Sequence, residues 1–141
     1  MSTAGIHLKV LAPDHVSFEG TVTQVSVPTL DGILTILPEH APIVAVVTTG
    51  ELVVTDTQGM MHVFAVFSGV LDVRPHSEVY VLVDRSERAE SIDIERAEAA
   101  VVRAKDLLEN KINESDVDFA RFEAVLEKEL NRVRVAIKWR K

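Results

Sequence analysis

The chain has 141 residues and a mass of 15.6 kDa, a size that suits one globular domain or a small domain with an appendage. Its 22 acidic residues outnumber its 15 basic ones, and the resulting net charge of −7 excludes broad binding to nucleic acid, which requires clustered cations. Hydrophobic residues make up 47% of a chain without cysteine, so we expect a folded protein with no disulfide, no thiolate nucleophile and no cysteine-based zinc site.

The first ninety residues have the pattern of short β-strands separated by turns. Alternating apolar and polar residues predict strands over 6–11, 22–27, 62–67 and 78–83. All five prolines and all six glycines of the chain lie in this part, where they mark turns. We therefore expect an antiparallel β-sandwich or barrel without helices long enough for β-α-β crossovers.

Composition changes near residue 90, and this change predicts a domain boundary between residues 88 and 89. Residues 1–90 hold four basic and 11 acidic residues, whereas residues 91–141 hold 11 of each. The second stretch lacks proline and glycine, which favours uninterrupted helix. The prediction is a β domain over residues 1–88 and a helical domain over residues 89–141.

Two apolar stripes predict that the helical domain is an antiparallel hairpin. Ser91 is the expected cap of the first helix, and Asp93 and Glu95 complement the positive end of its dipole. The stripe of the first helix contains Ala97, Val101, Ala104 and Leu108, and that of the second contains Phe119, Phe122, Leu126, Leu130, Val133 and Ile137. Such a hairpin buries little apolar surface, so we expect a movable arm attached to a rigid β domain.

The sequence offers little support for catalysis or metal binding. His40 lies between two prolines and close in sequence to Asp31 and Glu39, so it is either a general base or a turn or interface histidine. The second interpretation is favoured, because no recognisable nucleophile motif accompanies His40. The five histidines are scattered, and no HExxH, GxxxxGK[ST] or GxGxxG motif occurs. No apolar run reaches the roughly 20 residues that span a bilayer, so work at a membrane would require a partner.

Four basic residues of the hairpin form a candidate anion site. Arg96 and Arg103 are seven residues apart on the first helix, and Lys128 and Arg132 are four apart on the second. In an antiparallel hairpin these cations approach one another and repel unless an anion lies between them. The alternative is a solvated face whose cations pair with nearby glutamates, namely Glu95, Glu98, Glu127 and Glu129.

The C-terminal end of the chain is strongly basic. Residues 128–141 contain six basic residues and one acidic residue, Glu129. Cations favour a helix C-terminus, but that preference explains only two or three of the six. The remainder indicate a surface that docks on an acidic partner.

Several motifs resemble the epsilon subunit of the rotary F-type ATP synthase. The run GILTILPEHAP at residues 32–42 follows VLAPD at 10–14 and precedes SGVLDV at 68–73. IDIERA at 92–97 and VDF at 117–119 extend the resemblance over essentially the whole chain. Ile33 departs from the family pattern, which has an acid after the glycine; Asp31 is the acid on the other side of Gly32.

The resemblance implies an α+β fold, with a β-sandwich of about ten strands followed by a two-helix hairpin. It implies a non-catalytic subunit of the central stalk that binds the gamma subunit and the c-ring and couples proton-driven ring rotation to ATP synthesis. The extended arm would contact the alpha and beta subunits and inhibit ATP hydrolysis. The subunit would be peripheral to the cytoplasmic face of the bacterial plasma membrane and would touch the membrane only through the complex. The implied contacts with the c-ring and gamma are Asp31, Gly32, Glu39, His40 and Pro42, and the implied inhibitory contacts are Arg134, Lys138, Arg140 and Lys141.

The resemblance requires no metal or cofactor, but it implies ATP as a regulatory ligand, because some relatives bind ATP on the folded hairpin. The matching residues here are Glu87, Ile92, Asp93, Arg96, Ala97, Arg103, Lys128 and Arg132. Lys128 stands where the family has arginine, and lysine lacks the planar fork that grips phosphate, so we expect weakened ATP binding. An ATP-sensing module is thus the alternative to an inhibitory rotor subunit, and an enzyme centred on His40 is a third hypothesis.

Overall fold

The computed structural model describes residues 5–110 and 116–140, which form two compact units, Met1–Arg88 and Ala89–Lys141. The strands of the first unit are β1 (Ile6–Ala12), β2 (His15–Thr29), β3 (Gly32–Ile36), β4 (Ile43–Val47), β5 (Gly50–Asp56), β6 (Met61–Arg74) and β7 (Glu78–Arg88). The second unit contains a 3₁₀ turn (Ala89–Ser91), α1 (Ile94–Asn110) and α2 (Asp116–Trp139). Over the residues that the structure describes, neither helix is long and apolar enough to cross a membrane.

The seven strands form one continuous sheet that folds over on itself. The strand order is β1-β7-β6-β4-β2-β3, while β5 joins β2 to β6 and β1 also pairs with β2. Because β1 is bonded to β2 on one side and to β7 on the other, the sheet closes around an interior. Among the described pairings, β1 with β7 is parallel and the others are antiparallel, which departs from the purely antiparallel arrangement that the sequence predicts.

The predicted β-sandwich is confirmed, although the described strands number seven and the resemblance implied about ten. Three strands are long: β2 has 15 residues, β6 has 14 and β7 has 11. The first half of β2 pairs with β1, and the second half pairs with β3 and β5. One long strand therefore forms pairings that two shorter strands would otherwise share, so the number of strands is lower.

The core of the β domain is almost wholly aliphatic. Valine is its commonest residue, and Val10, Val25, Val54 and Val81 are completely buried. Valine suits this place because its branched side chain packs well on a pleated, fully covered surface. The core thus makes the β domain a stiff body, since close-packed interiors deform little.

The inward face of β6 changes from even-numbered to odd-numbered positions at Gly69. Val66 faces the core before this glycine, and Leu71 faces it afterwards. A Cβ on Gly69 would lie 2.0 Å from the carbonyl oxygen of Leu82 on β7. Only glycine therefore allows β6 and β7 to approach this closely at the switch.

The buried stripe of α1 is the one that the sequence predicts. Ala97, Val101 and Ala104 are buried, and Leu108 is half-buried. Two of the three fully buried residues are alanines, so the helix packs closely but contributes little apolar area.

The N-terminal cap of α1 is Asp93, so the prediction of Ser91 as the cap is wrong. Asp93 Oδ1 accepts a hydrogen bond of 3.1 Å from the Arg96 amide, and the Asp93 carbonyl accepts one of 2.9 Å from the Ala97 amide. Ser91 instead ends the 3₁₀ turn, in which the Ile92 amide donates to the Ala89 carbonyl at 3.3 Å. Because residues 89–91 form this turn, α1 begins only at Ile94, and Asp93 takes the capping position.

The buried face of α2 differs from the predicted stripe in its C-terminal half. Of the predicted residues, Phe119, Phe122, Leu126 and Val133 are half-buried, whereas Leu130 and Ile137 are exposed. Glu129 and Asn131 are buried instead, beside Val135 and Ala136. The prediction of Leu130 and Ile137 as buried residues is therefore wrong. Polar side chains can be buried when they form hydrogen bonds or ion pairs with their neighbours, and on α2 such side chains occupy positions on the covered face.

Asp56 holds the turn between β5 and β6. Its Oδ1 accepts hydrogen bonds from the amides of Gln58 at 2.8 Å and Met60 at 2.9 Å, and its Oδ2 lies 3.0 Å from His62 Nε2. The hydrogen bond with His62, followed by that with the Met60 amide, lowers the pKa of Asp56 from its usual 3.8. The folded turn therefore favours the ionised carboxylate.

Replacing Asp56 with asparagine should lower the Tm at neutral pH, because the turn loses an ionised acceptor. The folded-state pKa of Asp56 lies below its unfolded value, so this stabilisation is complete above the unfolded value and is lost as the pH falls through the folded one. The Tm difference between parent and D56N, measured by circular dichroism, should therefore shrink from about pH 5 downward. A gap that stays constant into strong acid would contradict this assignment, and Q58A, which keeps the amide donor, serves as the control.

Candidate functional site

The candidate contact segment 31–42 is divided by a strand. Asp31 lies in the turn before β3 and Gly32 begins that strand, whereas Glu39, His40 and Pro42 follow its end. The five residues of β3 separate the two groups by about 16 Å. The structure therefore places the five candidates in two turns, because Gly32–Ile36 between them forms a strand that pairs with β2.

The turn before β3 is held by Thr29. Its Oγ1 donates a hydrogen bond of 2.6 Å to the Gly32 carbonyl and accepts one of 3.3 Å from the Asp31 amide. Gly32 has φ +106°, a conformation that side-chain-bearing residues rarely adopt. The turn thus presents the exposed carboxylate of Asp31 on a defined backbone.

The turn after β3 is fastened to the turn between β6 and β7. Glu39, His76 and Ser77 have left-handed φ angles of 64°, 65° and 59°. The Glu39 amide donates to Ser77 Oγ at 2.8 Å, and the Ser77 carbonyl accepts from the His7 amide, also at 2.8 Å. Costly backbone conformations persist only where surrounding bonds fix them, so this end of the sandwich is rigidly shaped and a candidate contact site.

His40 lies in this second turn with its ring engaged locally. Its Nδ1 lies 2.6 Å from the Ala41 carbonyl, to which it donates, and its amide donates to the Leu37 carbonyl at 3.1 Å. No hydroxyl among the described residues hydrogen-bonds to the ring, so the geometry favours a turn or interface role over that of a general base. Within residues 5–110 and 116–140, no three His, Asp or Glu side chains are grouped as metal ligands.

An apolar row crosses the outer face of β4, β6 and β7. Val46 pairs with Val70, and Val70 pairs with Leu82, so the three side chains lie side by side on one face of the sheet. Val44 lies on the same face, two residues before Val46. These four residues, here called the apolar row, are between 42% and 72% exposed. Sequence periodicity did not single them out, because their strands are apolar on both faces.

Polar groups border the apolar row. Asp72 pairs with Val44 on one side and with Tyr80 on the other. Arg74 Nε donates to Asp72 Oδ2 at 3.0 Å, and the guanidinium lies 4.3 Å from the centre of the Tyr80 ring. The hydrogen bond with Asp72 raises the pKa of Arg74. An apolar centre with a charged and aromatic border is the usual anatomy of a protein–protein interface.

The candidate nucleotide residues at the start of α1 have structural roles. Ile92 and Ala97 are buried, and Asp93 caps the helix. The side chains of Arg96 and Arg103 are exposed on α1. This part of the motif therefore shapes the first turn of the helix and leaves the two arginines accessible to an anion.

The two candidate cations of α2 converge on a carboxylate of their own helix. Arg132 Nη1 lies 2.8 Å from Glu129 Oε2, and Lys128 Nζ lies 3.5 Å from Glu129 Oε1. The Glu129 side chain is only 9% exposed. The predicted pairing of these cations with Glu129 is thus observed, and the carboxylate occupies the place that a ligand anion would take.

Glu87, the remaining nucleotide candidate, lies on β7 in the β domain. It lines a cleft of about 470 Å³ together with Asp14, Asp84 and Arg85, so carboxylates outnumber cations around it. A hydrogen bond with the neighbouring His15 lowers the pKa of Asp14 and so favours its ionised form. A triphosphate would be repelled from this cleft.

The described residues of the basic C-terminal set have contacts within the hairpin. Arg134 Nη2 donates to Asn131 Oδ1 at 3.3 Å, and Lys138 Nζ lies 5.4 Å from the centre of the Trp139 ring. The Arg140 guanidinium donates to the carbonyls of Glu90 and Ile92. The fourth candidate, Lys141, lies outside the described residues.

Two family models together match nearly the whole chain. The model described as "ATP synthase, Delta/Epsilon chain, beta-sandwich domain" matches residues 5–89. The model described as "ATP synthase, Delta/Epsilon chain, long alpha-helix domain" matches residues 90–136.

Relatives named ATP synthase epsilon chain are similar over almost their full length. That of Desulforamulus reducens is 40% identical over 129 residues, which cover 92% of this chain and 95% of the relative. That of Chloroflexus aggregans is 41% identical over 131 residues, which cover 93% and 91%. That of Halalkalibacterium halodurans is 38% identical over 131 residues, which cover 93% and 96%.

The fold also resembles a chain in the mitochondrial ATP synthase of Euglena gracilis, with a TM-score of 0.81 over 95% of this chain and 82% of that chain. Sequence identity in this pair is 20%, so the likeness shows the fold alone. The family assignment rests on the sequence matches, which cover both domains. The chain belongs to the ATP synthase delta/epsilon chain family.

Proposed function

We propose that the chain is the non-catalytic rotor subunit of a bacterial F-type ATP synthase. Its β domain would bind the gamma subunit and the c-ring and couple proton-driven rotation to ATP synthesis, while its hairpin inhibits ATP hydrolysis. Family membership over both domains and the apolar row on the β domain support this proposal. The solved structures that contain chains of similar fold are described as ATP synthase assemblies that include the c-ring. The subunit would be held at the cytoplasmic face of the plasma membrane by the complex.

The apolar row is the best-supported docking surface for the gamma subunit. Val46, Val70 and Leu82 present adjacent apolar side chains on a sheet whose core is completely packed. Covering them removes apolar area from water at about 25 cal/mol per Å² without requiring the sheet to change shape. The fastened turns around Asp31 and Glu39 would serve the c-ring contact, since their backbone is fixed before binding.

Charged residues in the apolar row should weaken docking strongly. We expect the double variant V46D/V70D to fold, because both side chains are exposed, but to bind a purified gamma subunit about a hundredfold more weakly, since two carboxylates would lose water at the interface. Calorimetric titration measures the affinity. Val16 is exposed and lies outside the row, so V16D should bind like the parent. Equal binding by parent and V46D/V70D would show that gamma docks elsewhere.

The hairpin suits an inhibitory arm because its closed form is held by little apolar area and several polar contacts. The buried face of α1 is mostly alanine, and buried polar groups lie on α2. Such an interface exchanges partners more readily than an aliphatic core does, because the polar groups find equivalents in water or on an acidic surface. Arg134, Lys138, Arg140 and Lys141 supply the positive charge for that surface on the alpha and beta subunits.

Deleting residues 91–141 should raise the ATPase activity of the assembled complex several-fold while assembly survives, because the β domain keeps its docking surfaces. Replacing the four basic residues together with glutamine should give part of this effect, more clearly at low salt, where exposed charges are least screened. The full-length chain reconstituted in parallel is the control. An unchanged rate of hydrolysis after the deletion would refute the inhibitory role.

An ATP-sensing function is the second candidate, and the exposed Arg96 and Arg103 support it. ATP that binds only the closed hairpin would shift the population towards it by RT ln(1 + [ATP]/Kd), about 2.7 kcal/mol at a hundredfold excess over Kd. Glu129 opposes this binding, because the phosphates must displace a carboxylate that already forms ion pairs with Lys128 and Arg132.

Replacing Glu129 with glutamine should tighten ATP binding by about tenfold, because the competing carboxylate is removed. Isothermal titration of the full chain with ATP measures the change. Glu127 is exposed on the same helix, so E127Q should bind ATP like the parent. Absence of heat at millimolar ATP for both parent and E129Q would leave the sensing function without support.

A further inference from the structure

Arg140 joins the two ends of the helical domain. Its Nη2 donates a hydrogen bond to the Ile92 carbonyl, and its Nη1 donates one of 3.5 Å to the Glu90 carbonyl. The donors belong to the residue that follows α2, and the acceptors precede α1. The chain itself connects the helices at the other end of the hairpin, so Arg140 ties the end that would otherwise open.

Both carbonyls precede Asp93, the N-terminal cap of α1. The helix begins at Ile94, and its first backbone acceptor is Asp93, which bonds the Ala97 amide at 2.9 Å. Carbonyls before the cap lie outside the helical ladder and need another donor or water. The planar guanidinium supplies two donors with fixed geometry, which a lysine ammonium does not.

We propose that Arg140 is the latch of the closed hairpin. Its two hydrogen bonds, one to the 3₁₀ turn and one to the residue after that turn, hold the end of α2 against the start of α1. Breaking these bonds is the first step of opening. The assignment gives Arg140 a role within this chain that is separate from any contact with another subunit. Its link to inhibition rests on the proposed function, whereas the latch itself does not.

The latch and the inhibitory contact make opposite demands on Arg140. In the closed hairpin two N–H groups of the guanidinium are bound to backbone carbonyls, so these donors are not available to a carboxylate of a partner. When the hairpin opens, the same donors become available for an acidic surface. Arginine-to-lysine replacement separates the two roles, because lysine keeps the charge and loses the fork.

Hydrogen exchange of the full-length chain, followed by mass spectrometry, tests the latch. R140A and R140K should each exchange about tenfold faster than the parent in peptides covering residues 89–97, the change expected for the loss of one charge-assisted hydrogen bond. Exchange in β1 to β7 should stay at the parent rate, which shows that the β domain remains folded. Lys105 is exposed on α1, so K105A removes an equal charge elsewhere and should match the parent.

Two results would overturn the latch. Parental exchange in R140A would show that the bonds do not restrain the hairpin, and parental exchange in R140K with fast exchange in R140A would show that positive charge alone is sufficient. The assembled complex then tests the link to inhibition independently. A complex that contains R140K, whose arm is open and whose charge is intact, should hydrolyse ATP more slowly than a complex that contains the parent chain. Fast exchange in R140K with unchanged hydrolysis would keep the latch and reject the inhibitory role.

Discussion

The carboxylate of Glu129 must remain with its two cations, and the behaviour of the hairpin follows from this constraint. A buried charge is tolerated only when it is paired, because taking it out of water costs several kcal/mol. Lys128 and Arg132 provide that pairing from the same helix, so the charge is satisfied before α2 meets anything else. Glu129 cancels one of these two positive charges and contacts both cations, so the closed hairpin needs no external anion between them.

The two domains are stabilised by different means. The β domain buries aliphatic side chains, and its long strands each take part in more than one pairing, so that none of these long strands can leave without disrupting at least two others. In the described part of the hairpin, the buried residues of α1 are two alanines and a valine, and those of α2 are Val135, Ala136 and the polar Glu129 and Asn131. Apolar burial is costly to undo, whereas polar pairs can be exchanged for water or for other charges. This difference is the reason for proposing that partners and ligands shift the conformation of the helical domain.

This division of properties fits a subunit that transmits force and also responds to conditions. Under the proposed function, a rigid body with an apolar row would stay bound to the rotating gamma subunit through many cycles, because docking would require no rearrangement of the β domain. A marginal hairpin can change state with a differential binding energy of a few kcal/mol, which is within reach of a nucleotide or an acidic protein surface. Under the latch proposal, a single residue such as Arg140 carries a large share of this balance.

The domain boundary, the β and α character of the two parts and the buried stripe of α1 follow from the sequence, because proline, glycine and hydrophobic periodicity act locally. The β-sandwich follows as well, although the number of strands depends on how far β2 and β6 continue, which local patterns do not reveal. The motifs around residues 32–42 and 92–97 identify the family because they are specific combinations of residues.

Tertiary structure alone decided which polar residues are covered and which apolar residues are exposed. Glu129 and Asn131 are polar residues, and only their pairing with neighbours on the folded helix offsets the free-energy cost of burying them. Val46, Val70 and Leu82 look like core residues in the sequence, and only strand pairing brings them together on an outer face. The contact of Arg140 with Glu90 and Ile92 joins residues about fifty positions apart, a distance over which sequence periodicity carries no information.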